Sequence, residues 1–303
     1  MREIGVLQQE IRRLTERLSF PADAVNTVMA AFTALTVRDS DRDTLYEILS
    51  RYNAPERCDY KRMIADIQRL GEQNGVHPYT AALVLLLCLG EPLRRRYRER
   101  GLSDALFYDT LADLRYKLEE CRLVHGVIGN FVAEWYDGFF DLTRFAFGRL
   151  QAELVPLGVD CVADGVTLSK DSLAINLHIP RDGTPLSHDA VRDAYRRAAA
   201  FFAPAFEGAP LVFTCRSWLL YPWNITVLSE TSNLAAFYRD FTIVAEGEHD
   251  ASDVWRLFDC AYNGDPDALP QDTSLRRAYA ARLQRGEPVG WGHGVFVYRE
   301  KPT

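Results

Sequence analysis

Leu173-Ala174-Ile175-Asn176-Leu177-His178-Ile179-Pro180 alternates apolar and polar side chains, as a half-buried strand does. Arg181-Asp182-Gly183-Thr184-Pro185-Leu186 breaks that pattern with turn residues. Ser187 is an N-cap with Asp189 in the first turn behind it, which predicts a helix from His188 to Phe202. Leu211-Val212-Phe213-Thr214-Cys215-Arg216-Ser217-Trp218 predicts a second apolar strand. Upstream, Val166-Thr167-Leu168 enters through a turn at Ser169-Lys170-Asp171-Ser172. From Val166 to Trp223 the chain therefore reads strand, turn, strand, glycine-proline loop, helix, strand. A polar loop between a strand end and a helix start attracts anionic ligands, because the helix offers free N–H groups and the positive end of its dipole.

The pattern continues on both sides. Arg149-Leu150-Gln151-Ala152-Glu153-Leu154 is expected to be the first strand of this region. Beyond Trp223, Asn224 is expected to cap a helix through Ile225, Val227 and Leu228, and Ser232 another from Leu234 to Tyr238. Phe241 to Ala245 reads as a strand, Ser252 to Ala261 and Asp272 to Arg285 as helices, and Gly294 to Tyr298 as a final strand. Strands alternating with helices predict an α/β or α+β domain with a mixed sheet.

Residues 1 to about 135 read as helical throughout. Ile4, Leu7, Ile11, Leu14 and Leu18 recur at helical spacing with Arg and Glu between them. Pro21 restarts a helix through Met29 and Leu35, and Asp41-Arg42-Asp43 begins one carrying Leu45, Ile48 and Leu49. Tyr60 to Leu70 is amphipathic. Pro78 opens Tyr79 to Leu89, which is apolar all round and so expected to be buried. Pro92 kinks this helix or begins the next; Arg94-Arg95-Arg96-Tyr97-Arg98 reads as a solvated face; Ser103 caps Leu106 to Leu118. Two domains result, at 1–135 and 136–303.

Composition narrows the class. With 303 residues and 48% hydrophobic content there is ample material for a core, and a net charge of −7 argues against nucleic acid or an anionic membrane as partner. The longest apolar run, Ala81 to Leu89, is about half of the ~20 residues a bilayer requires. The start, Met1-Arg2-Glu3-Ile4, lacks a signal-peptide core. The cysteines at 58, 88, 121, 161, 215 and 260 form no C-x-x-C pair and read as reduced thiols of a cytoplasmic protein. The histidines lack metal-ligand spacing, so no metal is expected.

Between the halves, Gly126, Gly129 and Gly138 interrupt an aromatic run of Phe131, Trp135, Tyr136, Phe139, Phe140, Phe145 and Phe147. These rings either form a seam where the helical half docks or wall an apolar acyl pocket.

Trp135-Tyr136, Phe139-Phe140-Asp141-Leu142, Arg144-Phe145 and Gly148-Arg149-Leu150-Gln151-Ala152-Glu153 form one set of blocks. His178-Ile179-Pro180 with Gly183-Thr184-Pro185-Leu186, Cys215-Arg216-Ser217-Trp218-Leu219-Leu220, and Ser232-Asn233-Leu234 with Phe237 follow. In order and spacing over residues 130 to 260, the chain resembles a bacterial acyltransferase family. That family joins a helical N-acyltransferase N-terminal domain to a GNAT-like C-terminal domain. The resemblance implies an α+β chain with an all-helical first domain and a mixed central sheet in the second. It implies acyl transfer from acyl-CoA to an amine acceptor, with coenzyme A lying across splayed central strands.

Under that resemblance the coenzyme A pyrophosphate falls on Arg181, Asp182, Gly183, Thr184, Leu186 and Ser187. Gly183 admits close backbone approach, and Arg181 offers a guanidinium fork. The usual Gln/Arg-x-x-Gly-x-Gly/Ala signature is absent here, and Pro185 removes a donor, so the same residues also read as an ordinary strand-to-helix turn. Direct transfer needs a base for the amine proton and donors for the developing oxyanion. His178, at the end of its strand, is the first candidate base, with Glu153 in reserve and His293 in Gly290-Trp291-Gly292-His293-Gly294 a further one. Cys215 and Ser217 share a strand face and are candidates for a nucleophile or a thioester neighbour. Two other classes stay open. One is a binding module that kept the fold and lost the cofactor; the other is a Cys- or Ser-dependent hydrolase, for which no Gly-x-Ser-x-Gly elbow is present.

Overall fold

The computed structural model describes residues 3–53, 58–251 and 254–299, in two compact units spanning residues 1–143 and 144–303.

The first unit is helical: α1 Ile4–Arg17, α2 Ala22–Ala34, α3 Asp39–Ser50, α4 Tyr60–Gln73, α5 Pro78–Cys88, α6 Gly90–Glu99, α7 Asp104–Leu111, α8 Asp113–His125 and the single turn α9 Asp137–Phe140. Helix α5 is its core. Every residue from Thr80 to Cys88 is buried, as expected for a helix apolar on all sides. Each of its buried leucines contributes about 1.5–3 kcal/mol of burial. Local chemistry explains the ends. Pro78 occupies the first turn of α5, where a missing N–H is harmless. Gly126 closes α8 in the left-handed conformation at φ 68°. Gly129 has its Cα against the Tyr79 backbone, where a Cβ would come within 2.5 Å. One expectation is corrected: the helix behind Ser103 is two helices, which meet at Ala112. Pro92 lies in the first turn of α6 rather than kinking α5. The aromatic residues Trp135, Tyr136 and Phe139 pack on one another, and the Tyr136 hydroxyl donates to Asp113 at 2.7 Å.

The second unit contains a six-stranded mixed sheet and a two-stranded hairpin. The strands are β1 Arg144–Phe147, β2 Leu150–Pro156, β3 Cys161–Ala163, β4 Val166–Leu168, β5 Leu173–His178, β6 Val212–Ser217, β7 Thr242–His249 and β8 Val289–Val297. The sheet runs β1-β2-β5-β6-β8-β7, and only β5 and β6 pair in parallel. Helices α10 His188–Phe202, α11 Asn224–Val227, α12 Asn233–Arg239, α13 Trp255–Phe258 and α14 Ser274–Gln284 complete it.

Ser187 caps α10, accepting from the Ala190 N–H, and the helix has the predicted bounds. It packs on one face of the sheet: Phe201 and Phe202 meet Phe145 and Phe147, and Tyr195 meets Phe213 and Phe296. At one end of the other face the β3–β4 hairpin packs Ala163 and Leu168 on Ala174, Val212 and Val295.

Three expectations change here. The strand at Leu150 is the second, because β1 precedes it across a two-residue turn in which Gly148 has φ 74°. Asn224 does not cap α11; it is buried, donates to the Trp218 carbonyl at 2.7 Å and accepts from the Tyr279 hydroxyl at 2.6 Å. The helix expected from Ser252 is the single turn Trp255–Phe258; Ser252 lies outside the described residues.

Strand β8 has a distinctive surface. Gly290, Gly292 and Gly294 point to one side, where added Cβ atoms would meet Tyr221 at 2.5 Å, the Leu220 carbonyl oxygen at 1.9 Å and Phe241 at 2.7 Å. Segment 218–221 therefore lies directly against the strand. Trp291, His293 and Val295 face the other way.

Candidate active site

The parallel pairing of β5 with β6 consists of two rungs, Ile175↔Phe213 and Asn176↔Thr214. On its other side β5 stays paired through Gln151↔His178, and β6 stays paired through Ser217↔Gly292. The two central strands thus part company beyond Asn176 and Thr214. The rungs end at the end of β5 that leads into residues 179–187.

On the face opposite α10, register brings a polar group to this parting. Arg144 lies across from Glu153, Glu153 across from Asn176, and His178 is two residues further along. His178 Nε2 is 2.7 Å from Glu153 Oε1. Arg144 donates to both carboxylate oxygens, at 3.2 and 3.1 Å. The Asn176 amide donates to Glu153 Oε1 at 3.4 Å. Burial pushes the Glu153 carboxyl up, but the His178 hydrogen bond and the Arg144 charge outweigh it and hold it at about 2. An ionised Glu153 accepts only, so His178 Nε2 carries the hydrogen and Nδ1 is the basic nitrogen. A carboxylate that fixes the imidazole tautomer and steadies its protonated form is the arrangement a general base needs.

A second polar group occupies the same face across the parting. The Thr214 hydroxyl is 2.7 Å from His293 Nε2 and donates to the Gly294 carbonyl at 3.3 Å. The Arg216 guanidinium sits 3.7 Å from the centre of the Trp291 ring. Burial, and then the Arg216 charge, hold the His293 imidazole below the usual histidine range.

The remaining candidates fall elsewhere. Cys215 faces α10, is fully buried, and burial pushes its thiol up to about 12. Ser217 Oγ accepts from the Leu219 N–H at 3.2 Å and caps the turn that follows β6. In the loop, Gly183 has φ 81° with open space where a Cβ would stand. Asp182 is engaged by the Thr184 N–H and hydroxyl at 2.9 and 2.8 Å and by Arg149 at 3.5 Å. Arg181 pairs with Asp259 at 2.8 Å, Leu186 is buried, and Ser187 caps α10. The sequence marks His178 and Glu153 separately as candidates and gives Arg144, Asn176, Thr214 and Arg216 no site role. Their common signal is register, which is invisible until strands are paired.

The comparisons give the family. A sequence model described as the GNAT-like C-terminal domain matches residues 144–296, and one described as the N-acyltransferase N-terminal domain matches residues 9–142. The chain belongs to the acyltransferase family built from these two domains. Solved structures of similar fold cover 96% of the chain and 88% of their own length. One, a mutant acyltransferase in complex with octanoyl-CoA, is 27% identical with a TM-score of 0.74. Another, an acyltransferase in complex with decanoyl-CoA and teicoplanin, is 26% identical with a TM-score of 0.72. A third, in complex with decanoyl-CoA, is 25% identical with a TM-score of 0.73. No curated protein matches. Among the described residues no helix is long and apolar enough to cross a membrane, and no group of three or more His, Cys, Asp or Glu is placed to hold a metal ion.

Proposed function

We propose that this member of the family transfers an acyl group from an acyl-CoA to the amine of a small-molecule acceptor, with His178 as general base. The observation that carries the reading is the Arg144–Glu153–His178 chain of contacts beside the parting of β5 and β6. The amine nitrogen attacks the thioester carbonyl, a C–N bond forms, and the C–S bond breaks with departure of the coenzyme A thiolate. His178 Nδ1 takes the amine proton and returns it to the thiolate, while Glu153 stabilises the imidazolium between the two steps. The backbone of the strand edges beyond the last rung would donate to the thioester oxygen and to the donor's amides. The donor's phosphates approach residues 181–187, where the chain is open above Gly183. The octanoyl-CoA bound by one neighbour and the decanoyl-CoA and teicoplanin bound by another favour a medium-length acyl chain and an organic acceptor. Six cysteines outside any disulfide suit the cytoplasm, where acyl-CoA is supplied.

Calorimetry with octanoyl-CoA, followed by a thiol-release assay over a panel of amines, tests this. Saturable binding, with turnover lost in His178→Ala while binding persists, is expected. Absence of octanoyl-CoA binding by the folded wild type overturns it.

A further inference from the structure

Arg216 differs from most arginines of the second unit. Arg144, Arg181, Arg276 and Arg282 each hold a carboxylate, whereas Arg216 is exposed and has no carboxylate partner among the described residues. Its guanidinium is stacked on Trp291, which fixes the plane of the group and leaves its N–H fork for another acceptor. The neighbouring strand supplies no acid on this side. Gly247 lies opposite Trp291 and Ala245 opposite His293, while Glu248 points to the other face and meets the Tyr221 hydroxyl at 2.6 Å.

Position gives this charge its meaning. Asn176 and Thr214 form the last rung between β5 and β6, and His178 and Arg216 each lie two residues beyond it. Residues two apart share a strand face, so both side chains rise from the same side of the sheet, on opposite banks of the parting. Paired strands are about 4.8 Å apart, and these two separate from that spacing onward. Glu153 is already neutralised by Arg144, whereas Arg216 has no carboxylate partner among the described residues.

We infer that Arg216 is a specificity-determining residue for the acyl acceptor: it receives a carboxylate that the acceptor carries a few bonds from its reacting amine. The inference rests on the reading of His178 as base. The acceptor class is therefore a zwitterionic amine of amino-acid type, whose nitrogen is presented to His178 while its carboxylate lies in the Arg216 fork. Trp291 holds the fork in place, and Gly247 opposite it on β7 leaves room for its ring, where a Cβ would come within 2.7 Å.

The test uses the full chain with octanoyl-CoA as donor and matched acceptors that differ in charge: leucine, phenylalanine and glutamate beside leucinamide, phenylalaninamide and glutamine 1-amide. Wild type is expected to favour the acids over the amides in kcat/KM. Arg216→Gln is expected to raise KM for the acids about 10- to 100-fold with kcat little changed, and to leave the amides unaffected, as for a lost charge-assisted contact. Arg216→Lys restores part of the preference. Equal use of acids and amides by wild type overturns the inference, as does octanoyl-CoA binding without turnover of any carboxylate-bearing amine. Weaker octanoyl-CoA binding by Arg216→Gln with an unchanged acid-to-amide ratio also overturns it and assigns the residue to the donor's phosphates. Failure of wild type to bind octanoyl-CoA strikes the proposed function itself.

Discussion

Glu153 Oε1 and His178 Nε2 lie 2.7 Å apart on neighbouring antiparallel strands, although 25 residues separate them in the chain. Replacing Glu153 by Gln keeps the size and removes the charge that steadies an imidazolium. Turnover is expected to fall about 10²-fold or more with octanoyl-CoA affinity unchanged, as measured by thiol release and calorimetry.

The same carboxylate makes stability depend on pH. Its folded value of about 2 lies below its ordinary 4.5. The stabilisation is therefore present above pH 4.5 and is lost as pH falls towards about 2. The shift corresponds to roughly 3 kcal/mol at most. Denaturant unfolding of wild type should weaken over this window, and Glu153→Gln should lose less stability across it.

His293 adds a second dependence of the same sign. Its folded imidazole titrates below the ordinary 6.5, through burial first and the Arg216 charge second. Protonation therefore opposes folding, and stability falls as pH drops below 6.5 towards the folded value. In Arg216→Gln the His293 value should rise, and a histidine-resolved NMR titration reads that change.

Cys215 should behave as core. Its burial and raised thiol predict no alkylation by iodoacetamide in the native state, while the more accessible Cys161 or Cys260 reacts. Cys215→Ala should keep acyl transfer and lose about 1–2 kcal/mol of stability.

Gly292→Ala brings a methyl group within 1.9 Å of the Leu220 carbonyl oxygen. A loss of about 2–4 kcal/mol is expected, because backbone on both sides resists movement. Gly5→Ala in α1 meets nothing within 4 Å and should gain about 0.5–1 kcal/mol. Thermal unfolding of the two variants checks the contrast.

Much of the framework could be read from sequence where a local signal was strong. Ser187 with its serine cap marked α10, and alternation marked β5 and β6. Strand β1 escaped because its four residues are all buried, so they show no alternation, and they end an aromatic run that resembles the helical half. Asn224 was misread because a cap and a buried bridge use the same amide, and only packing against Tyr279 distinguishes them. The site was half legible. His178 and Glu153 stood out as titratable groups at strand positions, but their partnership, the Arg144 contact and the Arg216–Trp291 stack depend on register between distant segments.

Strand β8 divides mutational freedom unequally. Its three glycines leave no room for larger side chains, whereas the intervening Trp291 and His293 project from the other side of the same backbone. Exchanges at those two positions can reshape what the surface recognises without disturbing how the strand packs. Laboratory evolution of acceptor choice should therefore accumulate changes at Trp291 and His293 and leave Gly290, Gly292 and Gly294 untouched.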